Sequence, residues 1–288
     1  MKQKLRNGTM MEMEDAQDKL IGRLYGSAFG RILLKPLTAP CLSRLAGCFL
    51  SSRLSCVFIK PFIRNNHIDM ALFEPVRYRS YNDFFSRKIR PEARPVDMDK
   101  AHFISPCDSK LTALPITPDC FFTLKHTPYT VASLLKNEQL AAEYAGGMAL
   151  IFRLTVDDYH RYGYPADGSK EANVRIPGVL HTVNPIANDH FPIYKENSRE
   201  YCVLHTDDFG DLVMMEVGAL LVGRIVNTHP DACEVQRGKE KGYFQFGGST
   251  VVVLVKEGMV QLDEDILANS AQGIETVVKY GERIGCKK

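Results

Sequence analysis

An α+β fold, in which a β-rich, barrel- or sandwich-like core follows a set of short amphipathic helices, is what this sequence predicts. Three observations carry that reading. From about Phe73 onward, short runs rich in Val, Ile, Tyr, Phe and Thr recur, separated by turns of Gly, Pro, Asn and Asp. Within that part only two stretches have the pattern of a helix. Before it, from Lys19 to Ile68, no acidic residue occurs, while Lys19, Arg23, Arg31, Lys35, Arg44, Arg53, Lys60 and Arg64 interleave with Leu, Ile, Phe and Val.

The basic stretch comes first along the chain. Segments such as Leu42 to Ile59 read as short helices broken by Pro36, Pro40 and Pro61. A basic, amphipathic segment suits a lipid interface, where lysines and arginines meet anionic head groups. An ordinary helical layer with a solvated basic face has the same composition, and the long acid-free window favours the interface. Strands follow at Met148 to Val156, Val174 to Val183, Glu200 to His205, Leu212 to Val217, Ala219 to Val226 and Thr250 to Val255. One helix interrupts them, Val131 to Tyr144, with Thr130 as N-cap and Gly146 or Gly147 closing it. A second runs from Asp263 to Asn269. Strands this short and frequent point to an antiparallel-leaning core, not a doubly wound sheet. The expected division is a helical region at 1–72 and a β-rich domain at 73–288.

Bulk properties narrow the function. The 288 residues are 45% hydrophobic and 24% charged, enough to bury a sizeable core. A net charge of +2 gives no general case for nucleic-acid binding. The eight cysteines form no CxxC pair and have no zinc-ligand spacing with histidine, so reduced, buried thiols and no metal are expected. Met1 to Asp18 lacks the apolar core of a signal peptide, and no apolar run reaches the ~20 residues that span a bilayer. The expectation is a protein peripheral to the cell membrane, on its cytoplasmic side.

Motifs for dinucleotides, P-loop phosphates, zincin metals and the α/β-hydrolase nucleophile are absent. What remains is Phe246-Gly247-Gly248-Ser249-Thr250, leading into the apolar run Val251 to Val255. Glycines permit a strained backbone and a close approach. A serine after them can attack the preceding Gly248 carbonyl in an N-to-O acyl shift, if a base takes its proton. A Gly-Gly-Ser step alone also serves as a plain turn.

The surrounding residues say more. Lys239 to Val252 (KEKGYFQFGGSTVV) resembles the processing site of the pyruvoyl-dependent phosphatidylserine decarboxylases. Tyr81 to Pro91 with Ala93-Arg94-Pro95 is similar to that family's FFxRxxxPxARP segment, and Ser105 to Ser109 to its SPxDG loop. Asp158-Tyr159-His160-Arg161 matches DYHR, Val183-Asn184-Pro185 the VN turn, and Glu196 to Arg199 the ENxR segment. Glu216 to Ala219 with Val222-Gly223 is similar to its VGAxxVG strands, and Val278 to Glu282 with Gly285 to its closing GxxxG strand. These motifs stand in the family's order from Tyr81 to Gly285.

The resemblance implies a self-cleaving proenzyme in which an Asp, a His and the Ser act together, a protease-like arrangement turned on its own backbone. Asp108 and Ser249 match the first and last of these. The ester left by the acyl shift would undergo β-elimination to dehydroalanine, and hydrolysis with loss of ammonia would leave a pyruvoyl group. Cleavage between Gly248 and Ser249 gives a β chain of residues 1–248 and an α chain of 249–288, which stay associated as a heterodimer. The pyruvoyl group, the implied cofactor, forms a Schiff base with phosphatidylserine, the implied partner, and accepts the electrons released as CO2 leaves. Phosphatidylethanolamine is the product.

Two departures from the family pattern matter. The family commonly has a second histidine two residues beyond the DYHR arginine, where this chain has Gly163. His160 is therefore assigned the catalytic role, with His181 and His190 as the other histidines that folding could bring in; for each of those two, a satisfied structural histidine is the favoured reading. Ser109 also stands where the loop usually has glycine, so Asp108 could be an Asx-turn residue after Pro106, and Asp167-Gly168 the competing loop acid or a hairpin turn. A pyruvoyl decarboxylase of a soluble amino acid, and a β-rich binding relative without chemistry, are the alternatives.

Overall fold

Six strands build the centre of the molecule: β1 (Ser109–Pro115), β2 (Met148–Leu154), β3 (Arg199–Thr206), β4 (Gly210–Val217), β5 (Ser249–Val255) and β6 (Glu275–Val278). They lie in the order β3-β4-β5-β2-β1-β6, every neighbouring pair antiparallel. The computed structural model describes residues 2–12, 40–124, 127–179, 181, 193–218, 224–246 and 249–288, of which 12 and 40–44 are described by their backbone alone.

The central sheet is covered on both sides, which explains why Val251 to Val255 is an unbroken apolar run without polar alternation. Leu111, Phe152, Val251 and Val253 point to one face, against Tyr162, Phe244 and Ile266. Ile151, Met215, Val252 and Leu254 point to the other, against Leu134, Ala141 and Tyr144. Two three-stranded sheets are also present, Ile225–Asn227 with Glu240–Phe244 and Arg161–Gly163, and Val260–Leu262 with Arg283–Lys287 and His102–Ile104. Each buried valine or leucine in β5 contributes about 1.5–3 kcal/mol by leaving water. The β-rich, sandwich-like, antiparallel-leaning core is as the sequence predicts.

Helices are few and short. In the basic region they are α1 (Pro40–Leu50), a 3-10 turn at Arg53–Phe58 and α2 (Ile59–Asn65). Pro61 does not break that run: it sits in the first turn of α2, where no intrahelical N–H is needed. Leu50, Ile59, Phe62 and Ile63 pack on Tyr81, Phe84 and Phe85 of α3 (Tyr81–Phe85). Outward stand Leu45 (69% exposed), Phe49, Leu54 (73% exposed), Val57 and Phe58, beside exposed Arg53, Lys60 and Arg64. Among the described residues no helix is long and apolar enough to cross a membrane.

The expected helix from Val131 to Tyr144 is two helices, α4 (Val131–Leu135) and α5 (Glu138–Ala142). Thr130 caps the first by accepting from Ser133 N, as expected, but Lys136 turns left-handed and Asn137 caps the second through Leu140 N. The helix expected at Asp263 is α6 (Glu264–Ala271). The boundary at residue 73 divides the chain less cleanly than expected. Lys2–Leu5 pairs in parallel with β6 and turns back on Met10–Glu12, so the amino-terminal strand belongs to the core sheet. The remainder of the expected strands Val174 to Val183 and Ala219 to Val226 lies largely outside the described residues, with Val174–Ile176 and Ile225–Asn227 observed.

Candidate active site

Strand direction gathers the predicted site residues at one end of the sheet. β1 and β5 run the same way on either side of β2, with Thr250 and Lys110 both facing Arg153. Asp108, just before β1, and Ser249, the first residue of β5, therefore lie at the end where β2 finishes at Leu154. His160 follows six residues after Leu154, and Tyr280 follows β6 at that same end, where Val278 faces Ser109. Ser249 and Asp108 are two strand spacings apart, on the order of 10 Å between backbones.

Ser249 is fully buried, and its Oγ has no hydrogen-bond partner among the described residues. Gly248 and Gly247 lie outside the described residues, so the conformation of the expected scissile bond is not described. Phe246, on the other side of them, packs edge-on to Phe85 (centroids 5.2 Å apart) and Tyr81 (5.0 Å), and its N–H donates to Asn82.

His160 is built into the same corner. Phe244 N donates to its carbonyl, and its ring lies 4.0 Å from the Phe85 ring. Nδ1 is 2.9 Å from the carbonyl oxygen of Asp158. A carbonyl only accepts, so Nδ1 carries the proton and Nε2 keeps its lone pair. Nε2 is buried and has no partner among the described residues. Burial is the main cause that lowers the His160 pKa to about 4, and the charge on Arg87 adds to it, against Asp158. The ring is neutral at pH 7.

The Asp158 turn is braced from β1. Lys110 Nζ donates to its carboxylate at 2.5 Å, and Thr155 donates from both N (2.7 Å) and Oγ1 (2.8 Å). Arg161 then ties this segment to α3 through Ser86 O and to Glu240 in the strand leading to Ser249.

Asp108 is engaged elsewhere. Arg94 donates to both its oxygens (2.6–3.1 Å) and Tyr280 N donates to Oδ1 at 2.8 Å. Its carboxylate is fixed toward β6, and no bond joins it to His160. The space of the family's second histidine is also taken. A Cβ on Gly163 would come within 2.1 Å of Tyr280 Oη, whose hydroxyl donates to Gly238 O. Only glycine lets the two backbones and that phenol meet.

The backbone N–H of His181 donates to Asn197 Oδ1, and its ring has Glu196 at 3.7 Å, which fits the structural reading; His190 lies outside the described residues. Asp167 takes the N–H of Arg237. Sequence reasoning missed the parts played by Asp158, Lys110, Arg94, Phe85 and Tyr280. Asp158, Arg94, Phe85 and Tyr280 stand inside quoted motifs, so a signal existed for four of the five. Lys110 carried none.

Residues 81–286 match the family model described as phosphatidylserine decarboxylase. The chain is 48% identical over 263 residues to the phosphatidylserine decarboxylase proenzyme 2 of Clostridium acetobutylicum, covering 91% of this chain and 90% of that protein. It is 40% identical over 278 residues to the phosphatidylserine decarboxylase proenzyme of Clostridium botulinum, covering 95% and 94%. With the proenzyme of the same name from Ruminiclostridium cellulolyticum it shares 38% over 275 residues, covering 94% and 92%.

Proposed function

The chain belongs to the phosphatidylserine decarboxylase family, and from that premise we propose that it is a proenzyme that cuts itself before Ser249 and then removes the carboxyl group of phosphatidylserine. One observation supports this most: a buried serine hydroxyl and a buried histidine lone pair, both without partners, at the same end of the central sheet. Unpaired buried polar atoms cost roughly 1–3 kcal/mol each, and folds keep them where chemistry uses them.

The self-cleavage follows from these groups. His160 Nε2 takes the Ser249 proton, Oγ adds to the Gly248 carbonyl, and the peptide becomes an ester. Loss of the Ser249 α-proton expels the Gly248 carboxylate, and water replaces the nitrogen of the resulting dehydroalanine as ammonia. A base with a pKa near 4 is weak at neutral pH, which suits a reaction each molecule performs once. Asp158 orients the imidazole through its carbonyl. Asp108 acts as a positioning residue that, with Arg94, holds the Tyr280 turn.

A pyruvoyl group fits this place, because it is made from Ser249 itself and the residue that would hold it heads a fully buried strand. When present it supplies a carbonyl that binds the substrate amine and takes up the electrons left by CO2. His160 is positioned to hold or deliver a proton beside it, and the apolar ring of Phe85 keeps water away. The exposed Leu45, Phe49, Leu54, Val57 and Phe58 with Arg53, Lys60 and Arg64 support docking of this region on an anionic membrane surface. Residues 1–248 and 249–288 would stay together, since β5 is hydrogen-bonded between β4 and β2.

The test is Ser249→Ala. Wild-type protein is expected to run as two bands on a denaturing gel and to release CO2 from phosphatidylserine vesicles, while the variant gives one folded band and no CO2. A variant that still cleaves, or a folded, uncut wild type that is active, would sink the proposal.

A further inference from the structure

Two arginines are among the largest fully buried side chains, and they are treated differently. Arg199 donates to four carbonyls, Leu134, Lys195, Asn197 and Ser133, at 2.7–3.0 Å. Among the described residues Arg87, 2% exposed, has no partner at Nε or Nη1, and its Nη2 reaches only Asp157 O at 3.5 Å. Among the described residues no carboxylate pairs with it. Its guanidinium instead lies over the rings of Phe73 (4.3 Å) and Phe84 (4.9 Å). Burial lowers its pKa to about 10, so it is charged at neutral pH.

The position is informative. Arg87 follows α3, whose inner side carries Phe85 against His160 and Phe246, and whose outer side carries the α1–α2 layer. A cation with free donors thus stands between the interfacial helices and the buried mouth of β5. Desolvated guanidinium donors point to an anion, and two adjacent N–H groups match two oxygens of a phosphate or carboxylate.

We propose that Arg87 is a substrate-binding residue that holds the phosphodiester of the phospholipid head group. The inference rests on the decarboxylase reading. The substrate offers two anions, and reaction energetics separate them. A cation on the carboxylate would stabilise a charge that disappears as CO2 forms, which raises the barrier. The phosphodiester keeps its charge throughout, so binding it lowers KM without penalty to kcat. Access comes with maturation, since Phe246, which packs on Phe85, becomes third from the end of the larger chain once the Gly248–Ser249 bond is cut.

Arg87→Lys and Arg87→Met, each compared as processed protein with active wild type in phosphatidylserine mixed micelles, test this. The expected result is a KM raised roughly 10–100-fold with kcat within about threefold. Glycerophosphoethanolamine, a chain-free phosphodiester, should lose inhibitory potency by a similar factor, while O-acetylserine, with amine and carboxylate but no phosphate, should keep its own. An unchanged KM, or equal weakening of both inhibitors, overturns the assignment. Should neither variant mature, a crystal structure of processed wild type with glycerophosphoethanolamine decides: phosphate oxygens within hydrogen-bond distance of Arg87 support it, and phosphate bound elsewhere overturns it. An inactive wild type would overturn the decarboxylase reading and this one together.

Discussion

The network around Lys241 and the mouth of β5 both hold buried polar groups, yet among the described residues none of the first region's buried side-chain polar atoms lacks a partner while the second leaves its key atoms bare. Lys241 Nζ donates to both oxygens of Glu216 (2.8 Å each) and to Asn227. Asn227 donates on to Glu200 and Glu216, Asn173 to Glu200, and Lys170 to Asn173. At the mouth of β5, Ser249 Oγ, His160 Nε2 and two Arg87 nitrogens have no partner among the described residues. The two regions are joined directly by the β4–β5 ladder, in which Glu216 faces Val251. The comparison teaches that this fold can satisfy buried polar groups when it needs only stability. At the mouth of β5 the unpartnered groups are the ones that the proposed chemistry uses.

Substitution should therefore have opposite consequences in the two places. At the reactive mouth, His160→Gln is expected to slow self-cleavage by roughly 10²–10⁴-fold, followed as loss of the full-length band with time, with little change in unfolding. Cleavage at the wild-type rate would move the base to another residue. In the paired network, Lys241→Met leaves Glu216 uncompensated and should cost roughly 3–5 kcal/mol in urea unfolding. Adding Glu216→Leu should recover most of that loss, and failure to recover would mean that the network does more than satisfy itself. The unfolding measurements are best made in the uncut Ser249→Ala chain.

Acid separates the regions further. Burial holds His160 at about 4, below the ~6.5 of an unfolded histidine. Between these values the unfolded chain binds a proton that the folded one excludes, so stability rises with pH there. The contribution is complete above about pH 6.5 and is lost as pH falls toward 4, by at most roughly 3 kcal/mol. Urea midpoints of Ser249→Ala with and without His160→Gln should stay a constant distance apart above about pH 6.5 and change their separation as pH falls toward 4, the chain that keeps His160 losing more. Parallel curves would contradict the neutral, buried imidazole. A smaller effect is expected at the packed edge of the site. Gly163→Ala brings a Cβ against Tyr280 Oη and Lys239 O and should cost roughly 1–3 kcal/mol. Tyr280→Phe should return part of it, read as a shift in thermal midpoint.

Much of this was legible in the sequence, for identifiable reasons. The β5 strand is visible because burial on both faces demands a continuous apolar run, and the serine at its head because two glycines precede it. Thr130 was readable as a cap, whereas the break at Lys136 was not: Asn137 caps a new helix only because the chain turns left-handed before it. Lys2–Leu5 gave no strand signal, being four residues long with a partner at the far end of the chain. In the site, the resemblance to the family's DYHR motif pointed to His160, while the brace from Lys110 and the phenol of Tyr280 filling the space at Gly163 are made by folding alone. Asp108 was found through its motif, but its pairing with Arg94 depends on where the chain returns.

Intact mass spectrometry of the purified wild-type protein tests the central claim most directly. The account predicts two species, residues 1–248 with a free Gly248 carboxylate and a 40-residue chain (288 − 248 = 40) whose first residue has the mass of pyruvoyl instead of serine and whose amino terminus is blocked. A 40-residue chain beginning with an ordinary serine, or an active protein of full-length mass, would contradict it.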